Sequence, residues 1–140
     1  MIRPMKFGDL DQIAGIWLDS NITAHNFLPK KYWEDQFPWV KHQIAQAQVF
    51  VAEEAGKIEG FIGLDGDEIE GLFVRAEARG RGVGSSLLNN TKNYHRHLSL
   101  HAYQKNQPAV KFYQAQGFKI AKAGEDPDTG ESDYLMTWDK

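Results

Sequence analysis

The chain has no cysteine. Disulfides, thiolate metal sites and cysteine nucleophiles are thereby excluded, and the protein suits a reducing compartment, so a cytoplasmic location is expected. No apolar run reaches the length that spans a bilayer, and Met1 to Leu10 hold no apolar core of signal-peptide length, so no membrane partner is expected. Acidic residues are missing from one long stretch. Between Ala78 and Gly124 there is no Asp or Glu, while Arg79, Arg81, Lys92, Arg96, Lys105, Lys111, Lys119 and Lys122 fall inside it. That stretch carries +8 in a chain of net charge −3, leaving −11 elsewhere. Segregation on this scale points to a polyanionic ligand held by the later part of the chain, although Lys111, Lys119 and Lys122 taken alone read as solvated surface lysines.

At 140 residues, 41% of them hydrophobic, the chain is long enough for one core and too short for two comfortable domains, so residues 1–140 read as a single domain. Ile2 opens a short strand. Asp9 and Gln12 form a capping-box pattern ahead of Leu10, Ile13, Ile16 and Trp17, which predicts a helix over 10–20. Tyr32, Trp33, Phe37, Val40 and Ile44 predict a second helical region, kinked or divided at Pro38. The period then changes, and 49–53, 58–64 and 68–75 read as an antiparallel meander. Leu87, Leu88, Tyr94 and Leu98 predict a helix to Arg96, with His95, Arg96 and His97 at the negative end of its dipole. A strand over 98–102 follows, then a helix capped by Asn106 and ended by Gly117, then strands at 118–121 and 134–138. No repeat or linker interrupts the order, which is that of an α+β domain with a mixed sheet.

The segment Arg79-Gly80-Arg81-Gly82-Val83-Gly84-Ser85-Ser86 sets glycines at alternate positions before a predicted helix. Without Cβ atoms, such a loop turns successive N–H groups toward one concave spot, and the helix N-terminus adds its positive end, which makes a phosphate site. A Walker loop requires a lysine after its last glycine, where Ser85 stands; a dinucleotide fold requires an acid about 20 residues onward, and none occurs before Glu125. The remaining pattern, Arg-x-x-Gly-x-Gly at Arg79, Gly82 and Gly84 after Leu72-Phe73-Val74, resembles the acetyl-CoA signature of the GCN5-related N-acetyltransferases. Asn106, Ala109, Phe112, Tyr113 and Gly117-Phe118 match a second motif of that family, N-x-x-A-x-x-F-Y-x-x-x-G-F, in the family's order and separation. The likeness covers nearly all of the chain and looks strongest to the family's small bacterial members.

The resemblance implies the family's acyl-CoA N-acyltransferase fold: a central, mostly antiparallel sheet, splayed at the cofactor site and flanked by helices. It implies acetyl-CoA as cosubstrate and no metal. Arg79, Gly80, Arg81, Gly82, Val83, Gly84 and Ser85 would hold the pyrophosphate, and the backbone of Leu72, Phe73 and Val74 would run along the pantetheine. Asn106 would both cap its helix and contact the cofactor. Tyr113 takes the role of the acid that protonates the departing sulfur, while Phe112 keeps a core role; without the motif both read as core aromatics. The base stays open among His101, since imidazoles titrate near neutrality, and Glu68 and Glu70, which share a strand face by alternation. His101 has a second reading as a residue that merely lines the sheet, and an amine arriving deprotonated needs no base. His25, Phe27 and Trp33 lie where the family shapes its acceptor pocket, with His25 equally readable as a loop histidine packed on aromatics. His42, His95 and His97 read as helical surface residues.

These readings predict an enzyme, monomer or homodimer, that moves an acetyl group from acetyl-CoA to a primary amine by direct attack in a ternary complex. The acceptor is a small molecule or a protein lysine or N-terminus, because the aromatics between His25 and Trp39 suit many amines. The alternative from another class is a coenzyme A-binding sensor without turnover. A nucleic-acid partner is not expected, since the chain is net acidic and carries no RNA- or DNA-binding motif.

Overall fold

The computed structural model describes all 140 residues. Strands β1 (Ile2–Pro4), β2 (Gln48–Glu54), β3 (Lys57–Asp65), β4 (Glu68–Val74), β5 (His97–Tyr103), β6 (Lys119–Glu125) and β7 (Ser132–Asp139) form one sheet in the order β1-β2-β3-β4-β5-β7-β6. All neighbours pair antiparallel except β4 with β5. Helices α1 (Leu10–Ala24) and α2 (Lys30–Gln46) cover one face, where Ile13, Ile16 and Ile44 pack on Val49, Val51, Ile58 and Phe61. Helices α3 (Val83–Lys92) and α4 (Gln107–Ala115) cover the other, where Leu87, Leu88 and Val110 pack on Ile62, Leu64, Leu98, Leu100 and Met136. Burying a side chain of this size stabilises the fold by about 1.5–3 kcal/mol, which is why the apolar periodicity set the layers. The edge strand β6 is exposed throughout, and its Lys119 and Lys122 blunt it against pairing with another chain.

The parallel pair is short. Glu68 pairs with Ser99 and Ile69 with Leu100, and there the register ends. At the same level the β3–β4 ladder slips: Leu64 faces Ile69 and Gly63 faces Gly71, so Glu70 is an extra, bulged residue. A bulge bends its strand, and here the bend coincides with the parting of β4 from β5. The splayed, mostly antiparallel sheet expected from the sequence is therefore present.

Four local readings are corrected by tertiary contacts. Asp9 does not cap α1 with its side chain. Its carboxylate instead accepts from both ends of the Arg3 guanidinium, at 2.7 and 3.1 Å, and from the Lys6 amide, while Arg3 Nε reaches Glu53 at 2.7 Å. That pairing holds the Asp9 carboxyl below the usual carboxylate range, the Arg3 hydrogen bond being the main cause. Gln12, the other half of the supposed box, accepts from the Ile58 amide. Helix α2 runs unbroken through Pro38, which sits on an exposed face where water can take the carbonyl that loses its donor, while Trp33 and Ile44 bury on either side. Helix α1 continues to Ala24, and α3 stops at Lys92, so His97 lies on β5 and His95 in the preceding turn, each paired with an aspartate.

Both ends of α4 are anchored. At its C-terminus the Phe118 amide donates to the Tyr113 carbonyl, the Gly117 amide donates to Gln114, and Gly117 has φ +94°. This is a Schellman motif, closed by the Phe118 ring on Tyr113 at 5.6 Å between centroids. At its N-terminus Asn106 Oδ1 accepts from the Ala109 amide, and Asn106 Nδ2 meets His25 Nε2 at 3.0 Å. His25 Nδ1 meets Asn21 Oδ1 at 2.8 Å, and Asn21 Nδ2 donates to the Trp17 carbonyl. With both amide orientations fixed, only a neutral His25 carrying its proton on Nδ1 completes this chain from α1 to α4.

Burial lowers the His25 pKa from 6.5 to about 4. A histidine whose folded pKa is depressed contributes stability that is full above its unfolded pKa and is lost as the pH falls through the folded one. We expect its contribution, on the order of 2–3 kcal/mol, to disappear between pH 6.5 and 4. His25→Phe, which keeps an aromatic ring, should show a shallower loss across that window in urea unfolding. Parallel pH profiles of wild type and variant would refute the assignment.

Candidate active site

Where β4 leaves β5, a cleft of about 790 Å³ opens through the sheet. This lies within the range of small-ligand sites. Its walls are the ends of α1 and β4, the glycine loop, the start of α3 and one side of α4. Leu72, Phe73 and Val74 line it, and on the side facing β5 their backbone groups have no ladder partner. Gly80 and Gly82 take φ +78° and +80°, with nothing within 4 Å of where a Cβ would sit, so backbone conformation rather than crowding demands glycine there. Gly82 is the N-cap of α3 and offers no side chain, which leaves the first-turn amides of Val83, Gly84 and Ser85 free toward the cleft. Gly84 faces Val74 and Phe112 at ordinary contact distance. Arg79 lines the cleft with its Nε on the Val74 carbonyl at 3.2 Å, and Lys105 lines the opposite side. This cradle of free amides, a helix N-terminus and two cations fits a pyrophosphate.

Arg81, expected in the cradle, lies outside it. Its guanidinium bonds Glu59 at 2.9 Å and the Glu77 carbonyl, because the left-handed glycines on either side turn the loop and carry it to the outer surface. The two aromatics of α4 each touch both core and cleft. Phe112 lines the cleft, only partly buried, while Tyr113 belongs to the apolar core and at the same time borders the cleft. One helical step of about 100° separates the two directions. Burial raises the Tyr113 pKa, so its phenol stays protonated.

A smaller cavity of about 290 Å³ shares His25, Leu72, Phe73, Asn106, Ala109 and Tyr113 with the cleft and opens on the other side of the parted strands. Glu70 and His101 line it; Glu68 does not. The Glu70 carboxyl is raised above its ordinary range, first by burial and then by Glu68 and Asp65, while His101 pulls the other way. His101 is half exposed, with Nδ1 3.5 Å from the largely buried Asp133 carboxylate. Trp33 is buried in its wall, edge-on to Trp17 at 5.9 Å and tilted against His25 at 5.5 Å. Phe27 lines neither space; it packs on His25 and Tyr103 and under Lys105. His25 packs on Phe27, Trp33 and Tyr103 and at the same time borders both spaces.

Three residues on this rim went unnoticed in the sequence: Tyr103, Asp126 and Asp133. The Tyr103 hydroxyl donates to Asp126, and β5–β7 pairing sets Tyr103 opposite Asp133. The only local signal was the acidic tract between β6 and β7, whose return onto β5 is a matter of strand order.

The acetyltransferase (GNAT) domain family matches residues 45–120. Over 99% of its length the chain is 39% identical to the peptidyl-lysine N-acetyltransferase YiaC of Escherichia coli K12, of which it covers 96%. It is 29% identical to the peptidyl-lysine N-acetyltransferase YjaB of the same organism, over 96% of this chain and 92% of that one. The solution structure of apo YjaB from Escherichia coli superposes with a TM-score of 0.88 at 25% identity, covering 99% of this chain and 96% of that one. Fold, glycine cradle and kinship thus agree, and the chain belongs to the GNAT family of N-acetyltransferases.

Proposed function

We propose that this protein, acting through one catalytic domain, transfers the acetyl group of acetyl-CoA to the side-chain amine of lysine in proteins. The observation that carries the reading is the meeting of two spaces at one phenol: the cradle-lined cleft and the Glu70–His101 cavity share Tyr113 and the free edge of β4. The peptidyl-lysine activity named for YiaC and YjaB supports a protein acceptor.

Acetyl-CoA supplies an acyl carbon activated by its thioester. The amides of Gly82 to Ser85, with Arg79 and Lys105, hold the pyrophosphate. The free edge of β4 at Leu72 to Val74 takes the pantetheine amides as a further strand would, and Asn106, held by His25, borders the same arm. On the other side the Glu70 carboxylate holds the lysine ammonium. His101, with Nδ1 turned to Asp133, keeps Nε2 for the proton that the amine must lose. The amine then attacks directly, and Tyr113, protonated because it is buried, donates to the leaving sulfur. Glu68 acts only through Glu70, whose carboxyl it raises.

Three measurements test these roles. Gly82→Val forces a β-branched residue into left-handed backbone at a cost of about 1–2 kcal/mol, so coenzyme A affinity by calorimetry should fall at least tenfold with unchanged circular dichroism; equal affinity would dismiss the cradle. Tyr113→Phe should bind coenzyme A normally and lose turnover by about 10²- to 10⁴-fold, whereas wild-type turnover would return Tyr113 to the core alone. In the pH profile of kcat/KM for a lysine peptide, His101→Ala should abolish the acidic limb and Glu70→Gln should keep it. The reverse pattern would transfer the base role to Glu70.

A further inference from the structure

A third cavity, about 650 Å³, lies on the α1–α2 face between the C-terminal half of α2 and the β3–β4 hairpin. Nothing in the acetyl-transfer chemistry uses it. Its floor is apolar, formed by Ile44, Val49 and Phe61. Its polar and aromatic features are at the rim. Trp39 stands there 62% exposed, an unusual position for an indole, which buries most of its surface in ordinary folds. Asp65 and Glu70 are the charged groups of the lining, and it contains no lysine or arginine. The cavity adjoins the smaller cavity beside Tyr113, because Trp17, Glu70, Gly71 and Phe73 line both. Gly71 sits at that junction: a Cβ there would meet the Phe73 ring at 2.6 Å and force it to move.

We infer that this groove is a second subsite for the acceptor protein and takes a cationic side chain, arginine above all, from a residue close in sequence to the target lysine. The inference rests on the peptidyl-lysine reading and specifies its substrates. A guanidinium stacks on an indole face and pairs with carboxylates, and Trp39 with Asp65 offers both partners to one side chain. Charge supports the same occupant, since two acids unopposed by a lining cation repel acidic segments and attract basic ones. The shared wall orders the binding surfaces: a chain whose lysine enters beside Glu70 and His101 continues over Gly71 and Phe73 into the groove. Adjoining cavities are bridged by a few extended residues at about 3.3 Å each.

The test compares acceptor peptides in which one arginine is walked through about four positions on either side of a single lysine, a reach set by the extended-chain rise, against the same peptides with alanine. Wild-type enzyme should show one favoured placement, with KM lower by about tenfold and kcat unchanged. Trp39→Ala and Asp65→Asn should each bring that ratio toward one, while in Trp39→Ala the acetylation of Nα-acetyl-lysine methylamide, too short to reach the groove, keeps its wild-type rate. Equal KM values for arginine and alanine at every placement would overturn the subsite, and so would a preference that survives in the Trp39→Ala, Asp65→Asn double variant. If small amines are acetylated and no lysine peptide is, the peptidyl-lysine reading itself fails and the subsite with it.

Discussion

The site depends on one broken ladder. β4 and β5 share only the Glu68–Ser99 and Ile69–Leu100 pairs before they separate. Unpaired backbone inside a protein is costly unless something else satisfies it, so the free edge of Leu72 to Val74 is both an expense and an invitation. The bulge at Glu70 bends the strand away and, at the same point, delivers a carboxylate to the gap. The break thereby supplies an opening through the sheet, an edge with hydrogen-bonding capacity, and an acid at the mouth. The glycine cradle and the Glu70–His101 cavity lie on either side of that opening because the two strands part there.

Keeping such a gap at a constant width requires struts across it. α4 forms one wall, and it is tied at both ends: by the Schellman turn at Gly117 and by the chain of hydrogen bonds from Trp17 through Asn21 and His25 to Asn106. The second tie crosses from the helices on one face of the sheet to the helices on the other. Its donors and acceptors alternate without a vacancy only while His25 is neutral, and burial among Phe27, Trp33 and Tyr103 keeps it so. Tyr113, about two turns along α4 from Asn106, inherits its position from these anchors.

Electrostatics divides the molecule in the same way. The acid-free stretch supplies the cradle, yet only Arg79 and Lys105 of its eight cations line the cleft. Arg81 is turned outward to Glu59, Lys92 bonds the Gln116 carbonyl, and Lys119 and Lys122 protect an edge strand. The proposed phosphate site therefore draws much of its capacity from backbone amides, which carry no formal charge and leave no trace in a charge count. Around the Glu70–His101 cavity and the groove beside it, acids from the β3–β4 hairpin and the β6–β7 segment gather around aromatic walls. That arrangement suits a cationic acceptor.

What the sequence determined by itself was local or periodic. The strand and helix order followed from apolar spacing, and Gly80, Gly82 and Gly117 marked positions whose left-handed backbone only glycine adopts without strain. Asn106 was legible as a cap, because a helix turn fixes neighbours within a few residues, whereas Tyr113 was singled out by the family motif alone. Other features belonged to the tertiary structure alone. Asp9 looked like a cap until Arg3 and Glu53 were brought to it, and Pro38 looked like a break until packing on either side of it held α2 together. His97 left its predicted helix for a strand, and Phe112 lines the cleft besides packing on the core. Asp133 met His101, and Asp126 met Tyr103, because β7 lies between β5 and β6, an order that no spacing along the chain encodes. Short-range geometry is written in consecutive residues; contacts between distant ones depend on which surfaces bury each other, and that is decided only when the whole chain folds.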